Sequence, residues 1–170
     1  LPPLHILSLE VGYGLIPLVD TEQRGELLDR IRSIRRQVAN EIGIIVPSIH
    51  IQDNMQLKPC EYKIFLKGNQ IGYGELMANF LLAMNPQVEE DTIDGIPTKE
   101  PTYNLPALWI KEEVRERALA EGYTVVDLAS VLTTHLADVI RKHSHELLGR
   151  QEVQRQLDKV KETHPKVVEE

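Results

Sequence analysis

Aromatic residues are scarce in this chain, and cysteine is nearly absent. Phe, Trp and Tyr make up only 5% of its 170 residues, with a single tryptophan, Trp109. Its core must therefore be built mostly from Leu, Ile, Val and Ala. The one cysteine, Cys60, excludes an intrachain disulfide and fits a reducing compartment. It follows a proline at a predicted strand start, and no local feature marks an activating base. Cys60 thus reads as a small packing residue, not a nucleophile. No apolar run approaches the length of about 18 residues that a membrane-spanning helix needs, and no signal-peptide pattern is visible. Positive charge is also short, since the formal net charge is -7. That argues against a nucleic-acid surface, which needs a local excess of Lys and Arg. The one partly basic stretch, Arg30, Arg32, Arg35 and Arg36, is interleaved with Glu26, Asp29 and Glu41. It reads as a solvated helix face rather than a phosphate site.

Motifs for catalysis and cofactors are missing too. Gly12-Tyr13-Gly14 follows a predicted strand but lacks the third glycine of a dinucleotide loop. A strand bulge or tight turn accounts for it better. No phosphate-loop or nucleophile-elbow motif occurs. His135, His143 and His145 share one predicted helix at separations of eight and two, whereas a helical metal pair needs three or four. They are read as structural or exposed, with His135 partly buried and bonded to backbone. Glu89-Glu90 sits in acidic loop sequence where nothing raises a carboxylate pKa. The residues therefore offer no catalytic, metal or cofactor site. An α/β enzyme remains a competing reading without a motif to anchor it.

What is present is a mixed α+β pattern. Residues 4–11 read as a strand, and Leu15–Val19 resumes an apolar run. Asp20 or Thr21 is a candidate N-cap. The helix after it carries Leu27, Leu28, Ile31, Ile34, Val38 and Ile42 as one stripe and stops at Gly43. Strands are predicted at Pro47–Asp53, Glu61–Lys67 and Gln70–Glu75, the last two joined by a turn at Gly68-Asn69. A buried strand at 80–84 stops at Asn85-Pro86, and Gln87–Gly95 reads as a mobile acidic loop. Ala107–Ile110 is a short strand, Lys111–Glu121 a charged helix and Tyr123–Val126 a strand. Asp127 opens a long helix with Val131, Leu132, Leu136, Val139, Ile140 and Leu147 inward. A further amphipathic helix is predicted from Arg150 to about Thr163. Its stripe has no later partner, and the chain opens on Leu1-Pro2-Pro3, so a longer natural protein is expected.

The segment Gly95–Ile110 (GIPTKEPTYNLPALWI) stands out. It holds Pro97, Pro101, Pro106 and the only tryptophan, with little helical or strand period. Prolines fix backbone angles and cut the entropy lost on ordering. The segment reads as a rigid, shaped loop that feeds a buried strand, the kind of element on which binding function sits. Trp109, on the strand, reads as core. Tyr103, in the loop proper, suits an exposed binding residue and a packed one equally well. Glu100 beside it can orient a partner by hydrogen bonds.

Eight blocks in order extend across the chain: Gly12–Asp20, Ile31–Gln37, Ile51–Gly68, Leu82–Pro86, Pro97–Ile110, Gly122–Asp127, Thr134–Leu136 and Glu146–Asp158. Together they resemble the FHIPEP family, the export-gate proteins of type III secretion. The flagellar branch is matched more than the virulence branch. The resemblance implies the first portion of a cytoplasmic region that follows a multi-pass inner-membrane part. It implies a first subdomain of about 1–78 and 128–147, and a second inserted at 79–127. The start of a helical third subdomain would fall at 148–170. It also implies a nonameric ring that receives export chaperones with their substrates. The ATPase complex and a companion gate protein would be further partners, with no enzymatic activity and no cofactor. The family's chaperone-binding dimple, carried over by motif, falls on Glu100, Tyr103 and Thr134. Tyr103 stands where the family commonly has Phe, and Asn104 where many members have Gly.

Overall fold

The computed structural model describes residues 5–20 and 26–147. β1 (Leu7–Val11) is the centre of the first sheet. It alternates, with Leu7, Leu9 and Val11 buried and the residues between them half-buried. β2 (Ile49–Asp53) pairs with it in parallel and β3 (Glu61–Leu66) antiparallel. β4 (Asn69–Glu75) adds to β3, giving the order β2-β1-β3-β4. A parallel pair needs a crossover, and α2 (Leu27–Ile42) lies on it.

Both early strands start later than the sequence suggests, at Leu7 and Ile49. The apolar run Leu15–Val19 is helical. A 3₁₀ turn at Tyr13–Leu15 leads into α1 (Ile16–Val19), with Pro17 in its first turn, where a missing N–H costs nothing. Asp20 ends α1 in extended backbone, and Thr21 lies outside the described residues. α2 ends as expected at Gly43, with φ 70°. Its stripe buries Leu27, Ile31 and Val38 and half-buries Leu28, Ile34 and Ile42. The β3–β4 turn is one residue earlier than predicted. Leu66 pairs with Asn69, so Lys67 (φ 50°) and Gly68 (φ 81°) form the loop. Two positive φ angles match the twist of the flanking strands.

Gly12 and Gly14 belong to a tight turn, one of the two sequence readings, with Leu15 N–H donating to Gly12 O at 3.0 Å. Their N–H groups donate to Glu61 O (2.8 Å) and Pro59 O (2.7 Å), which locks two backbone stretches together. Gly12 has φ -69°, open to any residue, so space and not conformation demands glycine here.

The second sheet has the order β6-β7-β5-β8, with every pair antiparallel. Its strands are β5 (Leu81–Met84), β6 (Ile96–Lys99), β7 (Pro106–Ile110) and β8 (Thr124–Val126). β6 corrects the sequence reading: the front of the expected loop is a strand, with Ile96 opposite Trp109 and Lys99 opposite Pro106. Pro97 is tolerated because β6 is an edge strand. The acidic segment before it lacks helix and strand but is tied down. Ile93 is buried, the Tyr123 hydroxyl donates to Asp91 Oδ1 (2.9 Å), and Thr92 Oγ1 donates to Glu121 Oε2 (2.8 Å). The charged helix is a 3₁₀ turn at Glu112–Val114 followed by α3 (Arg115–Ala120). Gly122 then turns the chain with φ 88°.

α4 (Leu128–Lys142) is the central helix. Val131, Leu132, Leu136, Val139 and Ile140 are buried on it, as is Leu147 beyond it. The helix expected from Arg150 lies outside the described residues. One apolar cluster joins α2, α4 and the first sheet with Leu82 and Trp109. A smaller one holds Leu81, Ala83, Leu108, Ile110, Ala118 and Tyr123. Strand alternation sends neighbouring residues of β5 and β7 into different clusters. Trp109 is core, as read.

Two of the four clustered arginines do not sit on a solvated face. Arg30 grips Asp127 with two bonds, Nη1 to Oδ1 at 2.7 Å and Nη2 to Oδ2 at 2.8 Å, and also touches Ser130 Oγ. Arg35 donates to the carbonyls of Pro47 and Val46, both at 3.0 Å. Asp127 also caps α4 by accepting Ser130 N–H at 2.8 Å. Burial alone would raise its carboxyl, but the Arg30 and Ser130 bonds outweigh that and hold its pKa below the usual carboxylate value. Asp127→Ala is expected to cost about 2 kcal/mol, from a lost cap and a half-exposed ion pair. Asp127→Asn should retain roughly half of that. The wild-type advantage is present above the ordinary Asp range and fades as pH falls through the lowered pKa. Urea unfolding at pH 7 and pH 3 measures both effects.

Candidate docking surface at the β6–β7 hairpin

The turn between β6 and β7 is built around one buried carboxylate. Glu100 is only 4% exposed. Its Oε1 accepts the Thr102 N–H and its Oε2 the Tyr103 N–H, each at 2.7 Å. Its own N–H donates to Leu105 O and its carbonyl accepts Asn104 N–H, both at 2.8 Å. Asn104 sits at φ 57°, a left-handed conformation that Asn tolerates better than most residues. Bonds from a charged acceptor are stronger than neutral ones. The tip is therefore fixed from inside by a side chain that touches almost no water.

Tyr103 projects from that tip and is 61% exposed, with exposed Leu105 and Ile96 along the same hairpin. The sequence left Tyr103 open between two roles, and the structure leaves its ring in solvent. Glu100 differs from the sequence expectation of a residue that orients a partner by hydrogen bonds: its carboxylate folds back onto the loop. Thr102 Oγ1 is buried at the turn without a hydrogen-bond partner.

The tip lies along α4. The Glu100 carboxylate is close enough to act electrostatically on His135, and Tyr103 lies near Arg141 and Lys142. Thr134 is exposed on this helix. Asp138 and Arg141 recur four and seven residues on, which places them on one face with Thr134. Lys142 pairs with Asp138 at 2.9 Å and Arg141 with Glu41 at 2.7 Å. The surface thus offers an aromatic ring on a fixed turn beside a charge-balanced helix face. The bonds described at the tip join Glu100 to Tyr103 but do not include Thr134.

Sequence reasoning missed Tyr62. His135 is buried as anticipated, but its partner is not backbone: Nδ1 lies 2.5 Å from the Tyr62 hydroxyl. No local pattern links residues 73 positions apart.

The scaffold is mixed α+β, with a preordered hairpin on its second sheet. The chain belongs to the FHIPEP family, whose model matches residues 1–170. It is 52% identical over 169 residues to the flagellar biosynthesis protein FlhA of Bacillus subtilis (strain 168), covering 98% of this chain and 25% of that protein. The chain therefore spans about a quarter of the length of the curated relatives it matches. Among solved structures it resembles the Chlamydia pneumoniae CdsV protein, with a TM-score of 0.75 and 22% identity, covering 98% of this chain and 50% of that one. It also resembles nonameric EPEC SctV-C, with a TM-score of 0.59 and 16% identity, covering 97% and 48%. At such identities these two likenesses concern the fold. Among the described residues, no helix is long and apolar enough to cross a membrane.

Proposed function

We propose that this chain is the docking portion of a flagellar type III export gate, and that its hairpin tip receives export chaperones carrying their substrates. The observation that carries the proposal is Tyr103: a large ring, mostly in solvent, on a tip braced by a buried carboxylate. Exposed aromatics on ordered backbone are favourable anchors because little entropy remains to be lost on binding. Thr134 and the α4 face form the other wall. A mobile chaperone segment that orders on arrival would bind with modest affinity and leave readily. Family membership and the FlhA relatives support the export assignment.

In this reading, residues 1–78 and 128–147 form the supporting subdomain and 79–127 the inserted one. The two separate sheets support that division. The third subdomain assigned to 148–170 lies outside the described residues. The whole protein would place this part in the cytoplasm beneath an inner-membrane gate. It would assemble as a nonameric ring, its fold relative SctV-C being nonameric, and meet the export ATPase complex and a companion gate protein.

The test is calorimetry with a flagellar chaperone–substrate complex. Tyr103→Ala is expected to weaken binding at least about thirtyfold, the loss of roughly 2 kcal/mol that defines a hot spot. Thr134→Asp should weaken it as well, with circular dichroism unchanged in both. Wild-type affinity in both variants would sink the docking reading and favour a purely structural segment.

A further inference from the structure

Behind the hairpin lies a polar pair that the docking surface itself does not use. Tyr62 on β3 is completely buried, and His135 on α4 is nearly so. The rings meet edge-on, with centroids 5.6 Å apart and planes at 74°, and the Tyr62 hydroxyl lies 2.5 Å from His135 Nδ1. β4 makes room for them. A Cβ on Gly74 would stand 2.3 Å from the Tyr62 oxygen. Glu100, from the hairpin, acts electrostatically on both rings. Three polar side chains from three elements thus share a largely apolar interior, where polar groups are costly unless matched.

The direction of the bond follows from need. A buried O–H requires an acceptor, and Nδ1 is the one within reach, so Tyr62 donates to a neutral imidazole whose proton is on Nε2. If His135 takes up a proton, Nδ1 becomes a donor. The bond must reverse, and the Tyr62 O–H loses its acceptor while a cation appears beside Glu100. That carboxylate shapes the tip through the Thr102 and Tyr103 N–H groups.

We propose that Tyr62 and His135 are positioning residues for the hairpin: while the pair is neutral Glu100 faces no added charge, and proton uptake at His135 shifts the Tyr103 tip. Its consequence for binding rests on the docking reading above. The groups that face His135 are Tyr62 from β3, Glu100 from the hairpin, and Asp138 and Lys142 from α4 itself. Burial and Lys142 oppose its protonation, while Glu100 and Asp138 favour it. Burial is the largest influence, so His135 titrates below the ordinary histidine value.

Nuclear magnetic resonance of the chain from pH 7.5 to 5 tests this without any partner. The His135 ring and the Thr102 and Tyr103 amides are followed together. We expect both amides to shift with the midpoint of His135. His135→Gln should abolish that phase, and His143→Gln should leave it in place. Tyr62→Phe, which removes only a hydroxyl, should move the midpoint and reduce the amide shifts; it carries the test if His135→Gln does not fold. Amides without a phase at that midpoint, or a phase unchanged in Tyr62→Phe, would overturn the inference. Chaperone calorimetry at pH 7.5 and 5.5 separates the two proposals. Amide coupling without chaperone binding removes the docking reading alone. Binding that needs Tyr103 while the amides stay silent removes this one alone.

Discussion

Gly12→Ala is expected to lower the melting temperature by roughly 10 °C, the largest effect of a Cβ added at any glycine among the described residues. The new Cβ would stand 2.0 Å from the carbonyl oxygen of Lys58 and 2.6 Å from that of Pro59. Those neighbours are backbone and cannot rotate away. They are also held in place, because Gly12 N–H bonds Glu61 O and Gly14 N–H bonds Pro59 O. Relief requires separating β1 from the segment before β3. Overpacking costs about 1–3 kcal/mol and sometimes more, and a clash between two backbones belongs at the top of that range. For a chain of this size each kcal/mol is worth about 2–4 °C. Gly43→Ala is the control. Gly43 has φ 70° with open space around its Cβ position, so only conformational strain of about 1 kcal/mol applies. Equal melting temperatures for the two variants in differential scanning calorimetry would contradict the steric argument.

Glu100→Ala is expected to abolish chaperone docking although the side chain is buried. It removes two charge-assisted bonds and leaves the Thr102 and Tyr103 N–H groups without their acceptor. Hydrogen bonds to charged groups contribute about 1.5–3 kcal/mol each, so a loss near 3–4 kcal/mol is expected, concentrated at the turn. Glu100→Gln should be intermediate: its amide oxygen can accept one N–H, while its NH₂ confronts the other. Hydrogen exchange reads the outcome directly. The Thr102 and Tyr103 amides should lose protection well before those of β7. If Glu100→Ala weakens binding while those amides stay protected, Glu100 touches the partner after all.

Local periodicity made some elements readable. Leu27 to Ile42 on α2, the alternation of Tyr62, Ile64 and Leu66 on β3, and Asp127 before α4 each follow from short-range rules. β6 was hidden because Ile96–Lys99 has no alternation of its own; it is a strand because β7 lies beside it. The turn at Lys67-Gly68 was misplaced because Lys67 accepts a positive φ, which its residue type does not advertise. Of the candidate site, Tyr103 and its loop were visible in composition and in family resemblance. The inward fold of Glu100 and the partnership of Tyr62 with His135 were not, since both depend on segments that meet only after folding.

β5 and β8 are immediate neighbours in the second sheet, with Leu82 opposite Val126. The chain therefore enters and leaves the segment 79–127 through two adjacent strands, about 5 Å apart by strand spacing. Seen from the first sheet and α4, that whole excursion is a loop whose ends already touch. Closing such a loop costs an entropy that grows only with the logarithm of its length. Insertions, deletions and substitutions in the hairpin can accumulate without moving either anchor. The hairpin is free to diversify without strain on the frame that carries it.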